Sequence, residues 1–239
     1  MQRLPFYVTL SPSPRMLDLA ALFSKHQLDA RGVIHVGAHE GQELPLYRAM
    51  GFRHILLVEA NPAVFARLNA SVAGDSGLEL ALCAVGESDG LATLRLTTFD
   101  QSSSLLPLKL HREVYPEIEE CGTLSVPARR LDSLLAERPG GVGDFNLLVL
   151  DVQGAELQVL RGAEGSLAGF DAVLSEINFA ELYEGCALAP ELDAFLADRG
   201  FRRVATACFH HPTWGDALYL RPAPAQPAAG RDSEAGTLA

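Results

Sequence analysis

Lysine is nearly missing from this 239-residue chain, with Lys25 and Lys109 the only two. The residues four before them are Ala21 and Leu105, which excludes the Tyr-x-x-x-Lys pair of short-chain reductases. No Gly-x-x-x-x-Gly-Lys is present either, so an ATP P-loop is out. Positive charge is scarce altogether: 19 Lys and Arg face 30 Asp and Glu, for a net charge of −11. So negative a surface repels phosphate backbones and anionic lipid, and neither nucleic acid nor a membrane is an expected partner. Cysteine is sparse and scattered. Cys83, Cys121, Cys186 and Cys208 form no Cys-x-x-Cys pair, which argues against a zinc cluster or a disulfide framework and fits a reduced cytoplasm. No apolar run reaches the roughly 18 residues of a membrane span. Residues 1–13 hold Pro5 and Pro12 and no apolar core of the signal-peptide kind. The expectation is an acidic, soluble, cytoplasmic globular protein.

What is present is enough apolar material for a core, 48% hydrophobic against 21% charged residues. The length suits one large domain. An N-terminal arm is expected over 1–14 and a disordered Pro/Ala/Gly-rich tail over 222–239, which leaves a domain over 15–221. Within it, short apolar runs alternate with helical patterns. Strands are expected at 33–36, 54–59, 78–85, 146–151, 172–177, 201–208 and 217–221, and helices at 43–50, 62–72, 154–163 and 190–199. Near-continuous apolar strands between amphipathic helices mean a parallel sheet covered on both faces. Residues 91–97 and 123–128 instead alternate apolar and polar, as a half-exposed hairpin does. The stretch 98–122 between them is a candidate substrate loop or lid. The reading is a doubly wound α/β domain with an inserted hairpin and loop.

Open α/β sheets bind ligands at the carboxyl ends of their strands. The first strand runs into Gly37-Ala38-His39-Glu40-Gly41, where two glycines permit a tight turn and the next helix N-terminus offers N–H groups to an anion. Glu59 ends the second strand, where an acid accepts hydrogen bonds from a ribose diol. Cys83 and Ala84, at the end of the third, lie where an adenine edge is expected. These residues indicate an adenosine-containing cofactor. The dinucleotide fingerprint is Gly-x-Gly-x-x-Gly, and its middle position here is His39, whose side chain would crowd a pyrophosphate. S-adenosyl-L-methionine needs only a short turn and an acid on its ribose, which is what this sequence offers.

The segments VIHVGAHEGQEL (33–44), LLVEANP (56–62), SSSLLP (102–107), VPARRLDSLL (126–135), LLVLDVQGAELQVLRGA (147–163) and LSEINFAELYEG (174–185) resemble the FkbM family of S-adenosylmethionine-dependent methyltransferases, in that family's order. The resemblance covers roughly residues 32–220, and Asp-Val-x-Gly-Ala-Glu is its most specific part. It implies a class I methyltransferase (Rossmann-like) fold, with a seven-stranded sheet whose last strand is antiparallel. It also implies methyl transfer to a hydroxyl of a sugar, polyketide or other secondary metabolite. Three positions depart from the family's habit: His35 replaces an acid common on the first strand, His39 an asparagine, and Gln153 a glutamate.

Methyl transfer asks a protein to align donor and acceptor oxygen and to remove a proton. Asp151 and Glu176 end the fourth and fifth strands, so both would face the ligand. Asp151 is expected to orient the cofactor's ammonium or the acceptor, and Glu176 or a histidine, His111 being the candidate in the loop, to take the proton. Glu156 stands in the first turn of the next helix, where a carboxylate also suits the dipole. Asp151, Glu176 and Asn178 could supply oxygen ligands to a magnesium ion, but their spacing is not diagnostic and no metal site is predicted. His210, His211, Trp214 and Asp216 precede or open the last strand, as a pocket rim or as packing. The acceptor is expected to be a hydroxylated small molecule, and an oligomer is possible. The rival readings are a nicotinamide-dependent oxidoreductase and a non-catalytic relic of the same fold.

Overall fold

The computed structural model describes residues 17–75 and 77–222. The arm expected over 1–14, and all but the first residue of the tail expected over 222–239, lie outside the described residues. A seven-stranded sheet has spatial order β3-β2-β1-β7-β8-β10-β9. Its members are β1 (Gly32–Val36), β2 (His54–Glu59), β3 (Leu78–Leu82), β7 (Leu147–Leu150), β8 (Ala172–Asn178), β9 (Arg202–Ala207) and β10 (Trp214–Leu220). The first five of these in chain order pair in parallel, while β10 runs antiparallel to both β8 and β9. The last strand in the chain is thus antiparallel, as the resemblance implies.

Burial explains the apolar runs. Every residue of β1, β7 and β8 is buried, so these central strands are covered on both faces. Alternate residues serve two separate cores. Ile34, Val36, Leu148 and Leu150 pack with Leu131, Val159, Leu160, Leu192 and Leu196. Those come from α5 (Leu131–Ala136), α6 (Glu156–Gly162) and α7 (Ala189–Ala197). Val33, Leu147 and Val149 pack the other way, with Leu19, Phe23, Tyr47 and Leu68. Those come from α1 (Leu19–His26), α2 (Leu44–Met50) and α3 (Pro62–Ser71). The capping chemistry is local: Asn61 accepts from the Ala63 N–H at 3.0 Å and Pro62 occupies the first turn of α3.

Four features differ from the sequence reading. The run 78–85 is two strands, because Cys83 bonds back to Glu59 O and the chain then leaves the main sheet. Its continuation, β4 (Ala84–Val85), joins β5 (Gly90–Thr97) and β6 (Glu120–Arg129) in a second sheet of order β4-β6-β5. β6 therefore starts inside the stretch taken as loop. Helices α1 and α5 were not expected; each shows only one short apolar repeat, Leu19/Phe23 and Leu131/Leu135. The stretch between β5 and β6 is also structured. It bridges Ser104 to Arg95 and Leu108 to Tyr183, and carries a 3-10 turn (Asp100–Ser102) and a short helix, α4 (His111–Val114).

Candidate active site

A cavity of about 560 Å³ opens at the carboxyl ends of β1, β2, β7 and β8, roofed by the segment between β5 and β6. Of the residues singled out in the sequence, Gly37, His39, Glu59, Cys83, Ala84, Asp151, Glu176 and His111 all line it. Gly41 does not. It sits in the turn with φ +77°, and its missing Cβ leaves room for Leu68, 2.9 Å from where that atom would be. Gly37 is required twice over: φ is +84°, and a Cβ would stand 1.8 Å from the Asp151 carbonyl oxygen.

The turn after β1 is not the anion cradle its glycines suggest. Leu44 N–H already bonds Gly41 O at 3.0 Å, Pro45 has no N–H, and Glu43 heads the helix with its carboxylate on the cavity. Negative charge occupies the place where an anion was anticipated. His39 instead serves as a tie. Its backbone N–H donates to Glu59 Oε2 at 3.0 Å, and the Asn61 N–H donates to Glu59 Oε1 at 2.7 Å. The carboxylate is thereby fixed with lone pairs to spare. Burial pushes its pKa up, and those two amides pull it back. The His39 ring accepts at Nδ1 from Gln42 and meets Asp100 Oδ1 through Nε2 at 2.9 Å. Cys83 is buried, and burial raises its thiol to about 11, so it is an inert wall.

Across the cavity the segment 151–156 folds back on itself. Glu156 Oε1 accepts from the Val152 and Gly154 N–H groups, at 3.2 and 3.0 Å. This carboxyl staples its own loop and does not line the cavity; burial raises it to about 7 against the pull of those amides. Gln153, at φ +56°, is the organising side chain. Its amide nitrogen donates to Asp151 Oδ1 at 2.7 Å and to Glu176 Oε2 at 3.1 Å, while its Oε1 accepts from Tyr183 Oη at 2.6 Å. Its backbone carbonyl accepts from Ser104 Oγ at 2.6 Å, so the roof is tied to the same loop.

The floor is crowded with acid. Asp216 lies directly opposite Glu176 across the β8–β10 pair, and Glu43 and Asp151 complete the group. Burial, then the neighbouring carboxylates Asp151, Glu156 and Asp216, push Glu176 well above its usual value. Burial, then Asp151 and Glu43, raise Asp216 to about 7. Asp151 is also raised by burial, though Gln153 and His35 act the other way. His35 is 3% exposed, lowered to about 4 by burial, and therefore neutral; Nδ1 meets Tyr47 Oη at 3.0 Å and Nε2 has no partner among the described residues.

The opposite wall is aromatic. His111 packs against Tyr115 and Tyr183, with ring centroids at 5.1 and 5.4 Å, and burial lowers its pKa. His210 stacks on Trp214 at 5.4 Å, and Trp214 Nε1 donates to Tyr115 Oη at 2.9 Å. Trp214 thus both packs and lines the cavity, and His210 and Asp216 line it too. Asn178 does not; it is buried, and its side-chain amide has no partner among the described residues. Among the described residues, no three His, Cys, Asp or Glu side chains come close enough to hold a metal ion. Asp216 stands on the pocket rim that the sequence offered beside packing; Gln153, Tyr183 and His35 carry no site role in the sequence reading, and the fold brings them to the cavity.

Comparison with known proteins agrees with this architecture. The profile of the Methyltransferase FkbM domain matches residues 35–203. The chain is 25% identical over 161 residues to the 2-O-methyltransferase NoeI of Sinorhizobium fredii, covering 64% of this chain and 65% of that one. It is 27% identical over 226 residues to Methyltransferase sdnD of Sordaria araneosa, covering 82% and 85%. The crystal structure of Methyltransferase FkbM from Methylobacillus flagellatus KT superposes with a TM-score of 0.50 at 15% identity, over 80% of this chain and 44% of that one. The chain therefore spans just under two thirds of the length of its rhizobial relative. With a seven-stranded sheet in the class I methyltransferase order and a matching profile over most of its length, the chain belongs to the FkbM domain family of methyltransferases.

Proposed function

We propose that the protein is an S-adenosyl-L-methionine-dependent O-methyltransferase acting on a hydroxyl of a small molecule. The observation that carries the reading is Glu59, fixed by two backbone amides at the end of β2 and facing a cavity of about 560 Å³, with the carboxylates of Asp151, Glu176 and Asp216 across from it. A carboxylate so held suits a vicinal diol, and the clustered acids suit a cationic group. The cavity falls within the usual range for small-molecule sites, roughly 300–1,000 Å³. Gly37 lets the turn after β1 close against the Asp151 backbone, which brings both to the cavity wall.

S-adenosyl-L-methionine, when bound, supplies a methyl group already activated on a sulfonium. The residues of this chain do the rest. Glu59 accepts from the ribose hydroxyls, Cys83 and Ala84 wall the adenine edge, and Asp151 holds the ammonium or the acceptor. Positive charge brought beside Asp151, Glu176 and Asp216 lowers their pKa values, which readies a carboxylate to take the acceptor's proton. Glu176 is the base in this reading; His111, neutral on the aromatic wall, orients the acceptor. Ser102 to Leu105 and the aromatic wall exclude water from the transfer.

The test is transfer of labelled methyl from S-adenosyl-L-methionine to a panel of hydroxylated small molecules. Glu176→Gln should lower turnover by about 10²–10⁴-fold, the usual contribution of a positioned base, and Asp151→Asn should weaken turnover or cofactor affinity. Wild-type turnover in both variants would remove these residues from the chemistry.

A further inference from the structure

The cavity has a one-sided charge that the methyl-transfer reading does not require. Six carboxylates line it, from Glu43, Glu59, Asp100, Asp151, Glu176 and Asp216, and among the described residues no lysine or arginine does. Arg67, which pairs with Asp100 and Glu40, does so from outside the lining. The basic groups that do line it are histidines, and His35 is held neutral by burial. Glu59 is spoken for by a ribose in that reading, and one ammonium offsets one more acid. The remaining acids of the floor face no lysine or arginine among the described residues; burial raises Glu176 and brings Asp216 to about 7, so an entering cation favours their ionised form and an entering anion opposes it. His35, 3% exposed and lining the cavity, has its Nε2 without a partner among the described residues. Opposite stands the flat surface of Trp214 and His210 with Tyr115, which suits an apolar or ring-shaped body.

We propose, resting on the methyl-transfer reading, that the acceptor entering this cleft is an uncharged or amine-bearing alcohol, and that a phosphate, carboxylate or sulfate near the reacting hydroxyl is refused. Focused by low-dielectric walls, the acids repel any anion drawn into the cleft. An alcohol activated as a nucleotide or carrier phosphate close to its hydroxyl would meet this site only after the phosphate had been removed by transfer or hydrolysis.

Trp214 gives a probe that needs no known acceptor, because it is the only tryptophan of the chain and lines the cleft. Its fluorescence is quenched at pH 8 with caesium, iodide and acrylamide, each referenced to free N-acetyltryptophanamide. At a constant ionic strength of about 0.1 M the Debye length is about 10 Å, and caesium should be favoured over iodide by at least about threefold. Glu176→Gln combined with Asp216→Asn should bring the ratio towards that of the reference, which assigns the preference to the cleft and not to the net charge. If the double variant does not fold, Asp216→Asn alone should move the ratio in the same direction. Iodide quenching equal to caesium, or a tryptophan closed even to acrylamide, overturns the proposal. In the transfer assay, anionic derivatives of any accepted alcohol should react at a tenth of the parent's rate or less. A phosphorylated derivative faster than its parent also overturns it. Neither readout of the quenching depends on cofactor binding, so a failed methyltransferase reading and a failed charge preference are told apart.

Discussion

At the scale of single residues, the site depends on one amide. Gln153 places a donor between two carboxylates that would otherwise face each other, and Tyr183 fixes which end of the amide points where. Gln153→Glu removes that donor and adds a third acid beside Asp151 and Glu176. Like charges close together raise one another's pKa, so the base should titrate higher. The expected outcome is a kcat/KM lowered about tenfold or more at pH 7, partly recovered as pH rises, which a pH–rate profile of the variant would display. Tyr183→Phe should cost only a few-fold, since one neutral hydrogen bond is worth about 1 kcal/mol. The residues legible in the sequence were those at strand ends: Gly37, Glu59, Asp151 and Glu176 follow from where apolar runs stop. Gln153 sat within the quoted motif, but only the φ of +56° and its three side-chain contacts show what it does.

At the scale of elements, the segment between β5 and β6 is attached to the main sheet at both flanks. One flank is polar, with Asp100 held by His39 and by Arg67, whose guanidinium also pairs with Glu40. The other is apolar, with Leu108 beside Leu182, Tyr183 and Cys186. The polar flank joins the roof to the turn that carries Glu59's partner, so the roof and the Glu59 side of the cavity are joined through His39. Arg67 and Asp100 are partly exposed, and such pairs contribute about 0–1 kcal/mol each. Arg67→Ala should therefore leave global stability almost unchanged while loosening the roof. Hydrogen exchange at amides 100–104 should speed up, and unchanged exchange there would show that the apolar flank alone holds the segment. The sequence indicated an inserted hairpin but not this attachment, because Asp100 and Arg67 are joined by the fold and not by spacing. The short helices α1 and α5 escaped for a related reason. Their helical state rests on packing one or two leucines or a phenylalanine into the cores, a tertiary effect that periodicity over six to eight residues does not reveal.

At the scale of the whole molecule, the acids of the floor link stability, binding and pH. Asp216 has its pKa raised in the folded protein to about 7, so between pH 4 and 7 the folded state holds a proton that the unfolded chain has lost. That contribution falls as pH rises through about 7. His35 works oppositely: lowered to about 4, it is neutral when folded but charged when unfolded below pH 6.5, so its contribution rises with pH over that window. The two oppose each other below pH 6.5, and only the loss from the acids continues above it. The ligand-free protein should lose stability between pH 6.5 and 8, and Asp216→Asn should recover order 1 kcal/mol at pH 8 by denaturant unfolding. A cationic ligand reverses the balance, since it favours the ionised floor. Binding of one should release protons and tighten from pH 6 to 8, readable by calorimetry in buffers of different ionisation enthalpy. No helix of the described residues is long and apolar enough to cross a membrane.

The central claim is that Glu59 and the turn at Gly37 form the seat of an adenosyl cofactor. Calorimetric titration with S-adenosylhomocysteine, with NAD and NADP run alongside, tests it most directly. The account predicts micromolar binding of S-adenosylhomocysteine, lost or weakened at least about a hundredfold in Glu59→Ala, where two charge-assisted contacts to the ribose disappear at about 1.5–3 kcal/mol each. Binding of the nicotinamide nucleotides with silence towards S-adenosylhomocysteine, or full affinity in Glu59→Ala, would contradict it.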